Sequence, residues 1–168
     1  MAVSEPIAAE PAARRLASPA RAAKGELADC YAEVAEQLEH CNNSPAADTF
    51  QLLARRLRSH LHNLGPAPAD DDAAPLPESP ADEIFLRSHY LMTPYHAVEL
   101  ALTMEQQTHH ALLNHLNLDE AALRRTPVGH DYLAEQTRHF EGLRSLLAQM
   151  PAPPAGWDED PDPPRMDE

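Results

Sequence analysis

The chain is short of glycine, cysteine, aromatics and basic side chains. Of 168 residues, 5 are Gly and 2 are Cys, and aromatics make up 5%. So few aromatics disfavour a sheet protein built on aromatic and β-branched strands. The two cysteines, Cys30 and Cys41, form no C-x-x-C pair, which excludes a zinc ribbon or a rubredoxin-type iron site. Eleven residues apart on one helix they would be ~16 Å from each other, too far for a mutual disulfide. Thirteen basic residues against 27 acidic ones leave a net charge of −14. That charge repels phosphate backbones and anionic lipid, so neither nucleic acid nor a membrane surface is an expected partner. No apolar run approaches the ~20 residues that span a bilayer. The first residues, MAVSEPIAAEPAARR, read as neither signal nor transit peptide. With reduced thiols, this points to the cytoplasm.

What is abundant is proline, 17 residues of it. Residues 1–17, 66–78 and 151–168 are rich in Pro, Ala and acids and lack the apolar content to offset their ordering entropy. Between them one start signal recurs: Ser18-Pro19, Ser44-Pro45, Ser79-Pro80, Thr93-Pro94 and Thr126-Pro127. A hydroxyl at the N-cap accepts a bond from an unpaired backbone N–H, and proline at the next position loses nothing.

Each signal opens a helical pattern. Leu27, Tyr31, Val34 and Leu38 share a stripe in a helix from about Pro19 to Cys41. Phe50, Leu53, Leu57, Leu61 and Leu64 do so from about Pro45 to Leu64. Val98, Ala101, Leu102, Met104, Leu112 and Leu116 mark a third helix from about Pro94 to Asn117, and Leu133, Phe140, Leu143 and Leu147 a fourth from about Pro127 to Met150. Shorter helical pieces are expected at 80–92 and 119–125. Two hairpins joined by a long connection, 66–92, predict an all-α four-helix bundle over residues 18–150. A crossover of that length belongs to ferritin-like folds.

Ten histidines raise metal binding as a possibility to be weighed. In di-metal bundles two helices each supply a Glu and two a Glu-x-x-His pair. FQLLARRLRSHLHNL (Phe50 to Leu64), LAEQTRHFEGL (Leu133 to Leu143) and HYLMTPYHAVELALTMEQ (His89 to Gln106) stand where such elements are expected. With these motifs, residues 19–150 resemble the rubrerythrin-type ferritin-like family. The spacing suggests a duplication, since Glu105 to His139 and Glu26 to His60 are both 34 residues. The resemblance implies Glu26, His60, Glu105 and His139 as metal ligands, with iron as the ion. The register of Glu26 competes with one two residues earlier, which would put Lys24 there.

The pattern also departs from the family. Leu57 and Gln136 stand three before the histidines, where the family has Glu. Losing two carboxylates removes charge that holds two divalent ions together, so one iron ion or none is expected. Two functional readings follow: a rubrerythrin-related protein of iron handling or oxidative stress, and a non-catalytic helical accessory protein that has lost its metal. An active di-iron oxidoreductase ranks third, because it requires a substitute carboxylate such as Glu135. Nucleophilic catalysis finds no support, with neither G-x-S-x-G nor a glycine-rich phosphate loop. The family kinship implies a homodimer. Trp157, the one tryptophan, sits in an acidic tail and either folds back on the bundle or docks on another protein.

Overall fold

The computed structural model describes residues 11–65 and 79–160. Capping chemistry sets where its helices begin. Thr126 opens a helix by accepting a bond from the Gly129 N–H at 3.0 Å. Asp119 does the same with Ala122, and Ser79 caps a short 3₁₀ turn, Pro80–Asp82, through Ala81. At Thr93 the cap is reciprocal, because the Nδ1 of His96 accepts from the Thr93 N–H at 3.2 Å.

Two expected caps are corrected. Ser18 lies inside its helix, which continues from Leu16 with no side-chain cap; Pro19 is tolerated there because a first-turn N–H has no helical partner. At the next start Asn43 is the cap, accepting from Ala46 at 3.4 Å, and Ser44 is already helical.

The described residues thus form α1 (Ala17–His40), α2 (Ser44–Asn63), α3 (Glu83–Arg87), α4 (Pro94–His115), α5 (Glu120–Arg124) and α6 (Pro127–Gln149), with no strand among them. Asn42 and Asn117 end α1 and α4 in the left-handed region, at φ 58° and 52°. Asparagine enters that region more easily than most residues, which makes it a good helix stop. No helix among the described residues is long and apolar enough to cross a membrane.

The stripes face a shared interior. Leu27, Tyr31, Val34, Phe50, Leu53, Leu57, Val98, Ala101, Met104 and Leu143 belong to one buried apolar cluster. Leu102, Phe140 and Leu147 are half-buried at its margins, Leu64 and Leu116 pack half-buried against the second cluster described next, and Leu61 is half-buried. A second cluster, including Leu16, Ala20, Leu112, Leu123 and Leu133, closes one end.

Both proline-rich ends carry structure where they are described. Residues 11–14 are helical, and Ala13 and Leu16 are buried. The expectation of an unstructured 1–17 therefore fails over 11–17, because alanine and leucine spaced three apart present one apolar face. At the other end Trp157 folds back and packs against the main cluster. Residues 1–10, 66–78 and 161–168, which belong to the segments read as unstructured, lie outside the described residues.

Candidate functional site

At mid-height the main cluster gives way to polar side chains from all four long helices. α2 contributes His60 and α6 Gln136, both buried. α4 contributes Glu105, 4% exposed. α1 contributes Lys24, 3% exposed and the only lysine in the chain. A buried charge needs partners, and these four residues with Tyr31 and His139 supply them to one another.

Lys24 sits in the middle. Its Nζ donates to His60 Nε2 at 2.9 Å and to Gln136 Oε1. It also lies 5.4 Å from the centre of the Tyr132 ring, a cation–π distance. Burial lowers its pKa from 10.5 to about 7, opposed by the carboxylates of Glu105 and Glu135, which raise it. His60 accepts at Nε2, so its proton is on Nδ1, which donates to Glu135 Oε1 at 3.3 Å. Burial first, then the charge of Lys24 and the nearby His139, push the His60 pKa down to about 2.

Glu105 has both oxygens occupied. Oε1 accepts from Tyr31 at 3.2 Å, and Oε2 accepts from His139 Nε2. Burial, followed by the Glu105 charge, raises the Tyr31 pKa well above 10, so the phenol remains a donor. The His60 and His139 rings stack with centres 4.3 Å apart. That stack joins the Lys24 half of the network to the Glu105 half. A surface depression of about 210 Å³ reaches both rings between α2 and α6, with Glu135 and Arg138 on its wall.

Three of the four expected ligands converge here: His60, Glu105 and His139. Glu26 does not. It is exposed on α1, and Lys24 takes the inward position two residues earlier. Two residues along a helix turn a side chain about 200°, to the opposite face. Leu57 is fully buried in the apolar cluster. Gln136 turns its oxygen to Lys24 and leaves a buried Nε2 with no hydrogen-bond partner.

This donor set does not fit the family's metal pair. It offers one buried carboxylate where the pattern requires several. The inward nitrogens of both histidines already face Lys24 and Glu105, and an ammonium-bearing side chain stands among the would-be ligands. A cation beside it meets the repulsion of the ammonium against the attraction of a single buried carboxylate. Among the described residues no group of three or more His, Cys, Asp or Glu side chains is set to hold a metal ion.

Glu36/His40, Glu105/His109 and Glu135/His139 are each spaced four apart, as ion pairs on one helix face would be, but the structure pairs them otherwise. His109 pairs with Glu120 at 3.4 Å rather than with Glu105. Glu135 serves His60 and Arg138 rather than His139. His40 bonds the Glu36 carbonyl through Nδ1 and leaves its carboxylate aside.

The sequence gives Lys24 only as the competing register for Glu26 and reads Tyr31 only as core, yet a signal placing both in the site is present. Lys24, Leu27 and Tyr31 lie three and four apart, so the stripe that places Leu27 inward places Lys24 inward too. No family model, curated protein or solved structure matches the chain.

Proposed function

We propose that this chain is a ferritin-like four-helix bundle with a crossover connection, related to the rubrerythrins, that has exchanged the metal centre for a lysine-centred polar network. In this reading it is a non-catalytic accessory protein that works through its surface. One observation carries the reading: the single lysine lies where a metal would need negative charge, bonded to His60 and Gln136. An ammonium can satisfy inward-facing nitrogen and oxygen acceptors as a metal ion would, without open coordination positions for a substrate. Leu57 adds to this, since an apolar side chain replaces a ligand and extends the core.

The iron-handling reading, which the sequence puts first, comes second here. The convergence of His60, Glu105 and His139 favours it, for these are the positions the family resemblance implies. The two readings part on metal content. Protein expressed in iron-supplemented medium and passed through gel filtration is expected to hold no stoichiometric iron by mass spectrometry. Retention of one iron or more per chain, lost in Glu105→Ala, overturns the proposal and restores the second reading. The homodimer implied by kinship is measured on the same sample by sedimentation equilibrium.

A further inference from the structure

The C-terminal strap rests on a surface that has hydrogen bonds of its own. After α6 the chain runs through Pro151, Pro153 and Pro154 without regular secondary structure. Gly156, at φ 69°, turns it back, and the Glu159 N–H closes the turn on the Gly156 carbonyl at 3.1 Å. The Trp157 ring then lies 3.8 Å, centre to centre, from His96 and meets His89 edge-on at 5.5 Å. Asp160 accepts from the Tyr90 hydroxyl at 2.5 Å.

Bonds that owe nothing to the strap hold the surface beneath it. His89 Nδ1 accepts from the Leu91 N–H, and His96 Nδ1 from the Thr93 N–H. The Asn43 side chain donates to the carbonyls of Tyr90 and Met92, both at 2.8 Å, and ties this loop to the turn between α1 and α2. A cavity of about 290 Å³ remains beside the indole, lined in part by Arg87, Met92, His96 and Leu100. Leu86, 87% exposed, precedes Arg87.

We propose that this cup is a docking site for an aromatic–acidic peptide, closed in cis by residues 156–160, and that a partner carrying a tryptophan followed by carboxylates enters by displacing the strap. The occupant seen on the cup defines the chemistry. Two locked imidazoles hold the indole, His96 tilted against it and His89 edge-on, Met92 and Leu100 line its apolar side, and Tyr90 donates to a carboxylate three residues on. A rigid aromatic anchor in such a cup carries much of a peptide's affinity. The proposal gives a partner class to the accessory reading above. It is tested without reference to metal, so the failure of either one is separately visible.

A fluorescein-labelled peptide matching residues 151–160 is titrated into three full-length proteins and followed by polarisation. A tethered strap competes at high effective concentration. Trp157→Ala should therefore bind the peptide at least about tenfold more tightly than the parent. Asp160→Ala, which removes the Tyr90 bond and keeps the indole, should fall between them and keeps the test valid if Trp157→Ala loses its helical circular dichroism. A peptide with alanine in place of its tryptophan should bind none of the three. Equal affinity for all three proteins, no binding to any, or equal binding of the alanine peptide overturns the proposal.

Discussion

Lys24 concentrates the unusual chemistry of this chain in one side chain. Its amine donates to both His60 Nε2 and the Gln136 oxygen, so losing it takes a donor from two buried acceptors. Lys24→Met keeps the apolar stem and removes only the amine. It is expected to lower stability by about 1–3 kcal/mol at pH 7, read from guanidinium denaturation. Adding Gln136→Leu should restore part of that loss, because the oxygen that lost the amine and the unpartnered Nε2 leave together. A Lys24→Met protein more stable than the parent would remove the lysine from the centre of the network. The amine can also be observed directly. With one lysine in the chain, selective ¹⁵N-lysine labelling yields a single side-chain resonance. It should titrate near pH 7, far below 10.5, because desolvation disfavours the ammonium. A midpoint near 10.5 would place this side chain in water.

At the scale of elements, α6 depends on a close approach at its first turn. A Cβ on Gly129 would stand 2.4 Å from the Leu123 carbonyl oxygen and 2.6 Å from Thr126 Oγ1, the atom that caps the helix. Neither neighbour can yield without breaking the α5–α6 join. Gly129→Ala should therefore cost about 1–3 kcal/mol despite the better helix propensity of alanine. Gly142 is the control within the same helix, since its Cβ would meet only the Arg56 guanidinium at 3.7 Å. There alanine should be neutral or mildly stabilising, as propensity alone predicts. Thermal melts of the two variants separate the cases, and equal shifts would remove the steric account. The helix starts also mark how far sequence reaches. Thr93 and Thr126 cap as their dipeptides suggest. Ser18 and Ser44 do not, because a helix extending from Leu16 and a cap from Asn43 preceded them in space.

The whole molecule titrates in a direction set by its buried bases. His60 has its pKa lowered to about 2, and those of His109 and His96 are lowered as well, all chiefly by burial. In the unfolded chain these histidines take protons below about 6.5, while the native protein resists them. The unfolded state then binds more protons, so stability is greatest above 6.5 and falls as the pH drops towards 2. Lys24 adds a second rise. Between pH 7 and 10.5 the unfolded amine holds a proton that the native one has shed, so stability climbs across that window. Tyr31 and Tyr132, raised by burial, reverse the trend above 10, where only the unfolded phenols ionise. Denaturation midpoints should thus increase from pH 5 to about pH 9–10 and then decline. In Lys24→Met the increase above pH 7 should vanish while the acid limb persists. An unchanged alkaline limb in that variant would assign the rise to other groups.

Sequence alone determined the helices and their inward faces. Hydrophobic spacing is a local property, and Leu27, Phe50, Val98 and Leu143 are buried as their stripes require. It also brought His60, Glu105 and His139 within view as members of one site. The tertiary structure alone decided which α1 side chain joins them. Glu26 and Lys24 differ by two residues, and the choice between them turns on partners at positions 60 and 136, drawn together only when α1, α2 and α6 pack. It likewise decided that Trp157 returns to its own chain, since the wall of His89 and His96 exists only once the loop before α4 is fastened by Asn43. Helical periodicity is written in short-range spacing. The pairing of buried charges and rings is a long-range balance of desolvation against contacts that no single segment contains.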